Sequence, residues 1–402
     1  MNWPSGLPPT GPSVWWRPDP PRGGVRAASA PECNRVNIDG HIVLPDRIMP
    51  GSLAFGSLIG GVTPGSGVPE RYILPGFIDG HVHGGDGADT MDGPDAIRHM
   101  ARFHMAHGTT TLLPTTITAP WDDVMAALHA VAAVMREGGG AGPDIAGAHL
   151  EGPFISPHRL GAQPPFALLP TPARVEAAIS TGAVRVVTLA PEIEHADSAI
   201  DRFVQAGIRV SIGHTLADHD QTERTLCRVC GAGGSLGGTH LFNAMPGITA
   251  RAPGPATALM CSDAACAEMV FDTHHVHPAL FRLAHRMMGG RLVFVTDAMR
   301  AAGAGDGPSE LGGQAVMVAD GVARLPDGTL AGSVLTLDVA LRNAVAAGAS
   351  LPQAAGLVST HAARWLGLHD RGALLPGRRA DFVVMGRDLD VREVWVGGVR
   401  RA

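Results

Sequence analysis

Residues 74–89 read LPGFIDGHVHGGDGAD. A short apolar run ends at Ile78, passes Asp79 and enters His81-Val82-His83, followed by a loop rich in Gly and Asp. In an extended strand, residues two apart point to the same side, so this spacing aims the His81 and His83 imidazoles at one point. That point lies where a strand runs out into a loop, which is where parallel α/β barrels build their active sites. Imidazole is the commonest protein ligand for zinc and similar ions. By itself a His-x-His is as often polar surface as a ligand pair, because two ligands do not make a site. The rest of the chain decides.

Outward from this stretch, β-like runs alternate with helical patterns, as expected of a parallel α/β fold. The runs cover residues 73–78, 110–115, 145–150, 184–189, 209–213, 238–241, 268–271 and 292–296. Helical patterns at 94–107, 121–136, 172–180, 196–206 and 278–288 fill gaps between them, and two more, at 336–347 and 351–366, follow the last run. Eight strands with intervening helices predict an α/β fold of the (β/α)8, TIM-like type over residues 73–375. A doubly wound open sheet is the main alternative, but no Gly-x-Gly-x-x-Gly follows an early strand. Short apolar pieces separated by Gly and Pro at both ends predict a small β-sandwich domain assembled from residues 33–72 and 376–402. Residues 1–32, which include Trp15 and Trp16, are rich in Pro and Gly without periodicity and read as a poorly ordered extension.

Composition narrows the chemistry. A net charge of -6 and a pI near 6.3 argue against nucleic acid or anionic membrane as the main partner. Lys is absent, so all 31 basic side chains counted as Lys or Arg are Arg. Lys nucleophiles, Schiff bases and carbamylated-Lys metal bridges are thereby removed together. Cys33, Cys227, Cys230, Cys261 and Cys266 are odd in number and scattered, which fits a reducing compartment rather than a disulfide framework. Cys227 and Cys230 form one C-x-x-C in a helical stretch without the second pair that a zinc site needs. No secretory pattern and no membrane-spanning run is visible, so the expectation is a cytoplasmic protein.

Side chains suited to metal binding recur at the ends of the runs. His81 and His83 follow the first, His149 and Glu151 end the third, His214 ends the fifth, His240 sits on the sixth and Asp297 ends the eighth. Any one of them alone is more often structural than functional. Barrel strand ends converge on one face, so a set of this kind at strand ends makes coincidence a poor explanation. The four imidazoles of His81, His83, His214 and His240 with the carboxylates of Glu151 and Asp297 suit one or two ions of Zn²⁺ or a similar divalent metal. Two adjacent cations need a bridging anion, and without Lys the natural bridge is Glu151. Asp297 fits the general acid/base.

At this point the chain resembles the N-acetylglucosamine-6-phosphate deacetylases of the amidohydrolase superfamily. The matching stretches are PGFIDGHVHGGDGADTMD, HLEGPFISP, TLAPE, SIGHT, THLFNAMPGITAR, VTDAM, LAGSVLTLD and PGRRADFVVM. HLEGPF and THLFNAM are the specific ones; His-x-His and a strand-end Asp belong to the whole superfamily. The resemblance implies a metal held by Glu151, His214 and His240, with His81 and His83 creating a second position that some members lack. It makes Asp297 the catalytic acid/base and a ligand. It implies one or two divalent ions, Zn²⁺ foremost, with Fe²⁺, Co²⁺, Mn²⁺ or Cd²⁺ as alternatives. Asn243 and Ala244 match positions contacting the sugar phosphate, as do Arg251 and His275, with Asp272 just before. Leu330, Ala331 and Gly332 match a segment closing over the sugar. The Arg position can reach across a subunit interface, which implies a homodimer.

A guanidinium and an imidazole make physical sense as anion holders in a chain without Lys. Two departures stand out, both at the substrate end. Gly161-Ala162-Gln163 puts an amide where the family commonly has an imidazole; Gln can still bind a sugar hydroxyl but cannot carry charge. Thr273 follows Asp272 where the family usually has Gly, and a β-branched residue there is strained if its φ is positive. The activity implied is deacetylation of N-acetyl-D-glucosamine 6-phosphate in amino-sugar catabolism and cell-wall recycling. The rivals are the same chemistry on another N-acetylated amino sugar, a different amidohydrolase such as an N-acyl-amino-acid deacylase, and a barrel that binds without catalysing.

Overall fold

The computed structural model describes residues 36–402 apart from Gly139, so the extension expected over residues 1–32 and Cys33 lie outside the described residues. Eight strands line the barrel: Phe77–Val82, Thr109–Pro114, Ala148–Glu151, Val184–Leu189, Arg209–Ile212, Leu236–Gly238, Ala267–Val270 and Leu292–Val295. Neighbours run parallel where they pair. The sixth and seventh strands join through the Gly238 N–H to the Cys266 carbonyl (3.0 Å) and the Leu241 N–H to the Glu268 carbonyl (2.7 Å). The ring closes where the Asp297 N–H donates to the His81 carbonyl at 2.9 Å. Short apolar strands with small residues between them suit this layout, in which helices cover the outer face.

The first expected strand, 73–78, divides in two. Tyr72–Pro75 pairs with strands from both chain ends, and only Phe77–Val82 enters the barrel. The break falls at Gly76, where a Cβ would overlap the Thr110 side chain. His81 therefore sits inside the barrel strand and not in the loop after it.

The terminal strands form one seven-stranded mixed sheet that includes Val36–Val43, Ile48–Phe55, Ile59–Pro64, Phe382–Met385 and Val391–Val396. The sheet curls back on itself: Phe55 packs edge-on against Phe382 at 4.8 Å, although two strands separate theirs in the sheet. Two halves thus face each other as in a sandwich while remaining hydrogen-bonded into one sheet. Strand alternation sorts the side chains: Phe382 and Val384 enter this small core, whereas Val383 and Met385 join the barrel's core.

One end of the barrel is plugged. Helix His361–Leu366 packs Trp365 and Leu366 against Ile78, Ala146, Val186 and Val293. Arg209 donates to the Trp365 carbonyl and Arg185 to the Leu366 carbonyl, which satisfies free carbonyls at a helix C-terminus. The Trp365 ring comes so near the sixth strand that a Cβ on Gly237 would lie 2.6 Å from it. The pattern over residues 351–366 predicts one helix, but Gly356–Thr360 adopts a π turn within it. That wider turn brings the Ser359 hydroxyl to the Gly76 carbonyl (2.7 Å) and His361 Nδ1 to the Leu292 carbonyl (2.8 Å).

An antiparallel meander, Gly307–Leu311, Gln314–Ala319 and Val322–Arg324, follows the eighth strand and was not expected. Its first hairpin turns at Gly312-Gly313, both with positive φ, as a two-residue hairpin loop requires. The tip docks on the loop after the third strand, where Gln314 Nε2 donates to the Ala162 carbonyl at 2.7 Å.

Candidate metal centre

Apart from His81, which lies within the first strand, each expected ligand sits at or just past the C-terminal end of its strand. Glu151 closes the third strand and His83 stands one residue past the first; His214, His240 and Asp297 stand two residues past the fifth, sixth and eighth. The last three have φ of 48°, 32° and 50°. Such backbone is uncommon for residues other than Gly and persists only where the surroundings enforce it. Here it turns three side chains inward over the open end of the barrel.

The side chains form two clusters that share one carboxylate. Glu151 Oε1 lies 3.2 Å from His214 Nε2 and 3.1 Å from His240 Nε2, and the two nitrogens are 3.0 Å apart. Glu151 Oε2 lies 3.1 Å from His83 Nε2 and 3.4 Å from His81 Nε2. Asp297 Oδ1 stands 3.2 Å from His83 Nε2 and 3.5 Å from His81 Nε2, which are themselves 3.3 Å apart. Four ligands at about 2.0–2.1 Å around a tetrahedral ion stand roughly 3.3–3.4 Å from one another, so both clusters have the span of such a donor set.

The donor chemistry also fits a cation. His214 Nδ1 faces the Arg159 carbonyl at 2.9 Å, so Nδ1 is its donor and Nε2 turns a lone pair toward the His240 nitrogen. All six side chains are largely or wholly buried. Burial alone would lower His83, yet hydrogen bonds with Asp297 and Glu151 lift it to about 9. Against burial, His81 and His83 hold Asp297 down to about 2. Against burial again, His81, His214 and His240 keep Glu151 well below the usual carboxylate range. Buried carboxylates held anionic among converging ring nitrogens are what a divalent cation stabilises when it displaces the imidazole protons.

A second layer fixes these ligands. His81 Nδ1 stands 3.2 Å from Glu268 Oε2. Asp79 accepts the His81 N–H (3.2 Å), the Thr296 N–H (3.3 Å) and the Thr296 hydroxyl (2.6 Å), tying the first strand to the eighth. Burial pushes the Asp79 carboxyl up to about 6, in part offset by the Thr296 hydroxyl. His149, which the strand-end pattern also singles out, lies below the ligands: Nδ1 meets the Gly80 carbonyl at 3.0 Å and Nε2 the Thr188 hydroxyl at 2.7 Å. Burial lowers it to about 4, so it is a neutral part of the packed interior.

The clusters open into a cavity of about 210 Å³. Of the expected substrate residues, Ala162, Gln163, Asn243, Ala244, His275, Leu330 and Gly332 line it. Asp272 does not, but it aims His275: Oδ2 takes the His275 Nδ1 hydrogen bond at 2.7 Å, and Oδ1 accepts the N–H groups of His274 and His275 at 2.8 Å. Against burial, this partnership raises His275 and lowers Asp272. Ala331 turns into the apolar cluster with Met299 and Leu311. Arg251 is exposed on the loop over residues 246–254 and is not part of the cavity wall. Thr273 has φ of 73°, the strained condition considered above.

Gln163 does more than face a sugar. Its Oε1 accepts the Thr118 N–H at 2.6 Å and its Nε2 donates to Glu151 Oε2 at 2.7 Å. Sequence reading also missed Ile117, Leu311 and Thr329 in the wall. The signal for Leu311 was present, because Gly312-Gly313 between alternating residues is a hairpin pattern. A wider surface groove of about 750 Å³ runs from Pro191 to Arg228, away from the ligands; its Arg228 is already paired with Asp197 and Asp201.

Comparison with known proteins points the same way. The amidohydrolase family model matches residues 72–401. An N-acetylgalactosamine-6-phosphate deacetylase of Escherichia coli O157:H7 is 40% identical over 340 residues, 82% of this chain and 89% of that protein. An N-acetylglucosamine-6-phosphate deacetylase of Vibrio furnissii is 37% identical over 333 residues, covering 81% and 82%. Among solved structures, a Mycobacterium smegmatis N-acetyl-D-glucosamine-6-phosphate deacetylase variant in complex with N-acetyl-D-glucosamine-6-phosphate aligns with a TM-score of 0.85 at 35% identity, covering 92% of this chain and 99% of that one. The Thermotoga maritima enzyme of the same name gives 0.85 at 30% identity, with coverage of 91% and 99%. Among the described residues, no helix is long and apolar enough to cross a membrane.

Proposed function

This chain belongs to the amidohydrolase family, and within it to the N-acetylhexosamine-6-phosphate deacetylases; from that membership we propose that it converts N-acetyl-D-glucosamine 6-phosphate and water to D-glucosamine 6-phosphate and acetate. The observation carrying this reading is the division of Glu151, one oxygen to each cluster, with Asp297 beside them at the cavity. Glu151, His214 and His240 would hold one divalent ion, and His81, His83 and Asp297 with Glu151 Oε2 a second. A cation there supplies a Lewis acid that polarises the acetamide carbonyl and acidifies the attacking water.

The chain's own groups do the rest. Asp297, anionic at neutral pH, takes a proton from the attacking water as the new C–O bond forms. It returns that proton to the nitrogen as the C–N bond breaks, so the amine leaves neutral. Asn243, Ala244, Leu330 and Gly332 position the sugar, and His275, oriented by Asp272, faces its phosphate. Arg251, exposed and outside its own cavity's lining, is assigned to the phosphate bound by a second copy in a homodimer.

A second reading, N-acetyl-D-galactosamine 6-phosphate, is favoured by the 40% identical relative. The test is amine release by zinc-loaded protein from both 6-phosphates and from unphosphorylated N-acetylglucosamine. Higher kcat/KM on the gluco 6-phosphate supports the assignment, and higher kcat/KM on the galacto epimer establishes the second reading. Equal turnover of phosphorylated and unphosphorylated sugar, or none at all, would sink both.

A further inference from the structure

We propose that Glu268 is the positioning carboxylate of the His81–His83–Asp297 cluster, and that it decides whether this chain holds two divalent ions or one. The proposal rests on the metal-centre reading above and assigns a role to a group that the hydrolysis does not use. Glu268 lies in the seventh barrel strand, Ala267–Val270, between apolar neighbours and 1% exposed. A lone carboxylate this deep is unfavourable unless it is paired. Among the described residues its only side-chain hydrogen-bond partner is His81, with Oε2 3.2 Å from Nδ1, and Oε1 has no partner.

A carboxylate oxygen accepts, so His81 Nδ1 carries the hydrogen and donates it. The Nε2 lone pair is thereby directed at the space bounded by His83 Nε2 (3.3 Å), Glu151 Oε2 (3.4 Å) and Asp297 Oδ1 (3.5 Å). His149, edge-on to His81 at 4.6 Å between ring centroids, cannot take over this role, because both its nitrogens are engaged by Gly80 and Thr188. A cation on Nε2 would in turn keep positive charge beside the buried Glu268, relayed through the imidazole. This is the carboxylate–histidine–metal arrangement that orients a ligand and raises its basicity. Glu151 serves both clusters, whereas Glu268 touches only one. Its loss therefore separates them.

The experiment titrates chelator-treated, full-length protein with Zn²⁺ by calorimetry, and counts bound ions by elemental analysis after gel filtration. Wild type is expected to take two ions. In Glu268→Leu one binding step stays near its wild-type affinity and the other weakens by about 10–100-fold, leaving one ion after filtration. Glu268→Gln keeps an acceptor oxygen without the charge and falls between them. Two tight ions in Glu268→Leu overturn the proposal. So does equal weakening of both steps together with a lower melting temperature of the ion-free variant, which would mark Glu268 as a fold residue only. Wild type binding a single ion overturns it too. Wild type binding none would instead remove the metal-centre reading on which it rests.

Discussion

Replacing Asp297 with Asn is the sharpest perturbation of the proposed chemistry, because the fold around it does not depend on its carboxylate. The main chain closes the barrel here: the Asp297 N–H donates to the His81 carbonyl at 2.9 Å, and its carbonyl accepts the Ser333 N–H at 2.8 Å. Its φ of 50° lies in a region that Asn tolerates as well as Asp. The side chain's contacts are with His81 and His83, so the Glu151–His214–His240 cluster loses nothing directly. An amide cannot shuttle a proton at neutral pH, and general acid/base catalysis contributes about 10²–10⁴-fold. Loss of an anionic donor from the other cluster adds to this. The expected fall in kcat is therefore about 10³–10⁴-fold, or roughly 4–5.5 kcal/mol in activation free energy. Steady-state amine release gives kcat, and elemental analysis should show at least one ion retained. Residual kcat above about a tenth of wild type, well short of a general acid/base effect, would refute the role assigned to Asp297.

Two further outcomes follow from residues at the cavity's edge. Thr273 is exposed with φ of 73°. Thr273→Gly relieves about 1–2 kcal/mol of backbone strain and loses about 0.5–1 kcal/mol to chain entropy, so a small rise in melting temperature is expected; a fall would show that Thr273 is not strained. His275 is raised above the ordinary 6.5, against burial, by Asp272. Its pairing therefore stabilises fully below pH 6.5 and is lost as pH rises through the raised value. Discrimination between phosphorylated and unphosphorylated sugar should hold below pH 6.5 and fade as pH rises through the raised value. In Asp272→Asn the fading should move to lower pH. A pH-independent ratio of the two kcat/KM values would remove His275 from phosphate recognition.

The eight-strand order was legible because each buried strand is a short apolar run between turn signals, and such runs survive any detail of packing. The convergence of His81, His83, Glu151, His214, His240 and Asp297 was legible for a related reason: polar residues at the ends of apolar runs meet at the mouth of a barrel. What escaped was set by contacts distant in sequence. Nothing within residues 73–78 says that Pro75 and Phe77 belong to different sheets; Asp381 and Thr110, on either side of Gly76, decide that. The π turn at Gly356–Thr360 likewise answers to Gly76 and Leu292. Gln163 was expected to face a sugar hydroxyl, and its hold on Thr118 and Glu151 needs the third dimension. Glu268 did leave a trace, as the one charge inside the run AEMVF. Its partner is 187 positions away in the chain.

The two donor sets differ in when they can exist. Glu151, His214 and His240 come from strands three to six, which pair consecutively into one four-stranded sheet. The other set joins His81 and His83, from the first strand, to Asp297, just past the eighth. A nascent chain that has emerged only as far as His240 already carries the first set entire. It must grow by the 57 residues from position 240 to position 297 before the second can form. During synthesis every donor of the first set is therefore present in the chain before Asp297 of the second has been added.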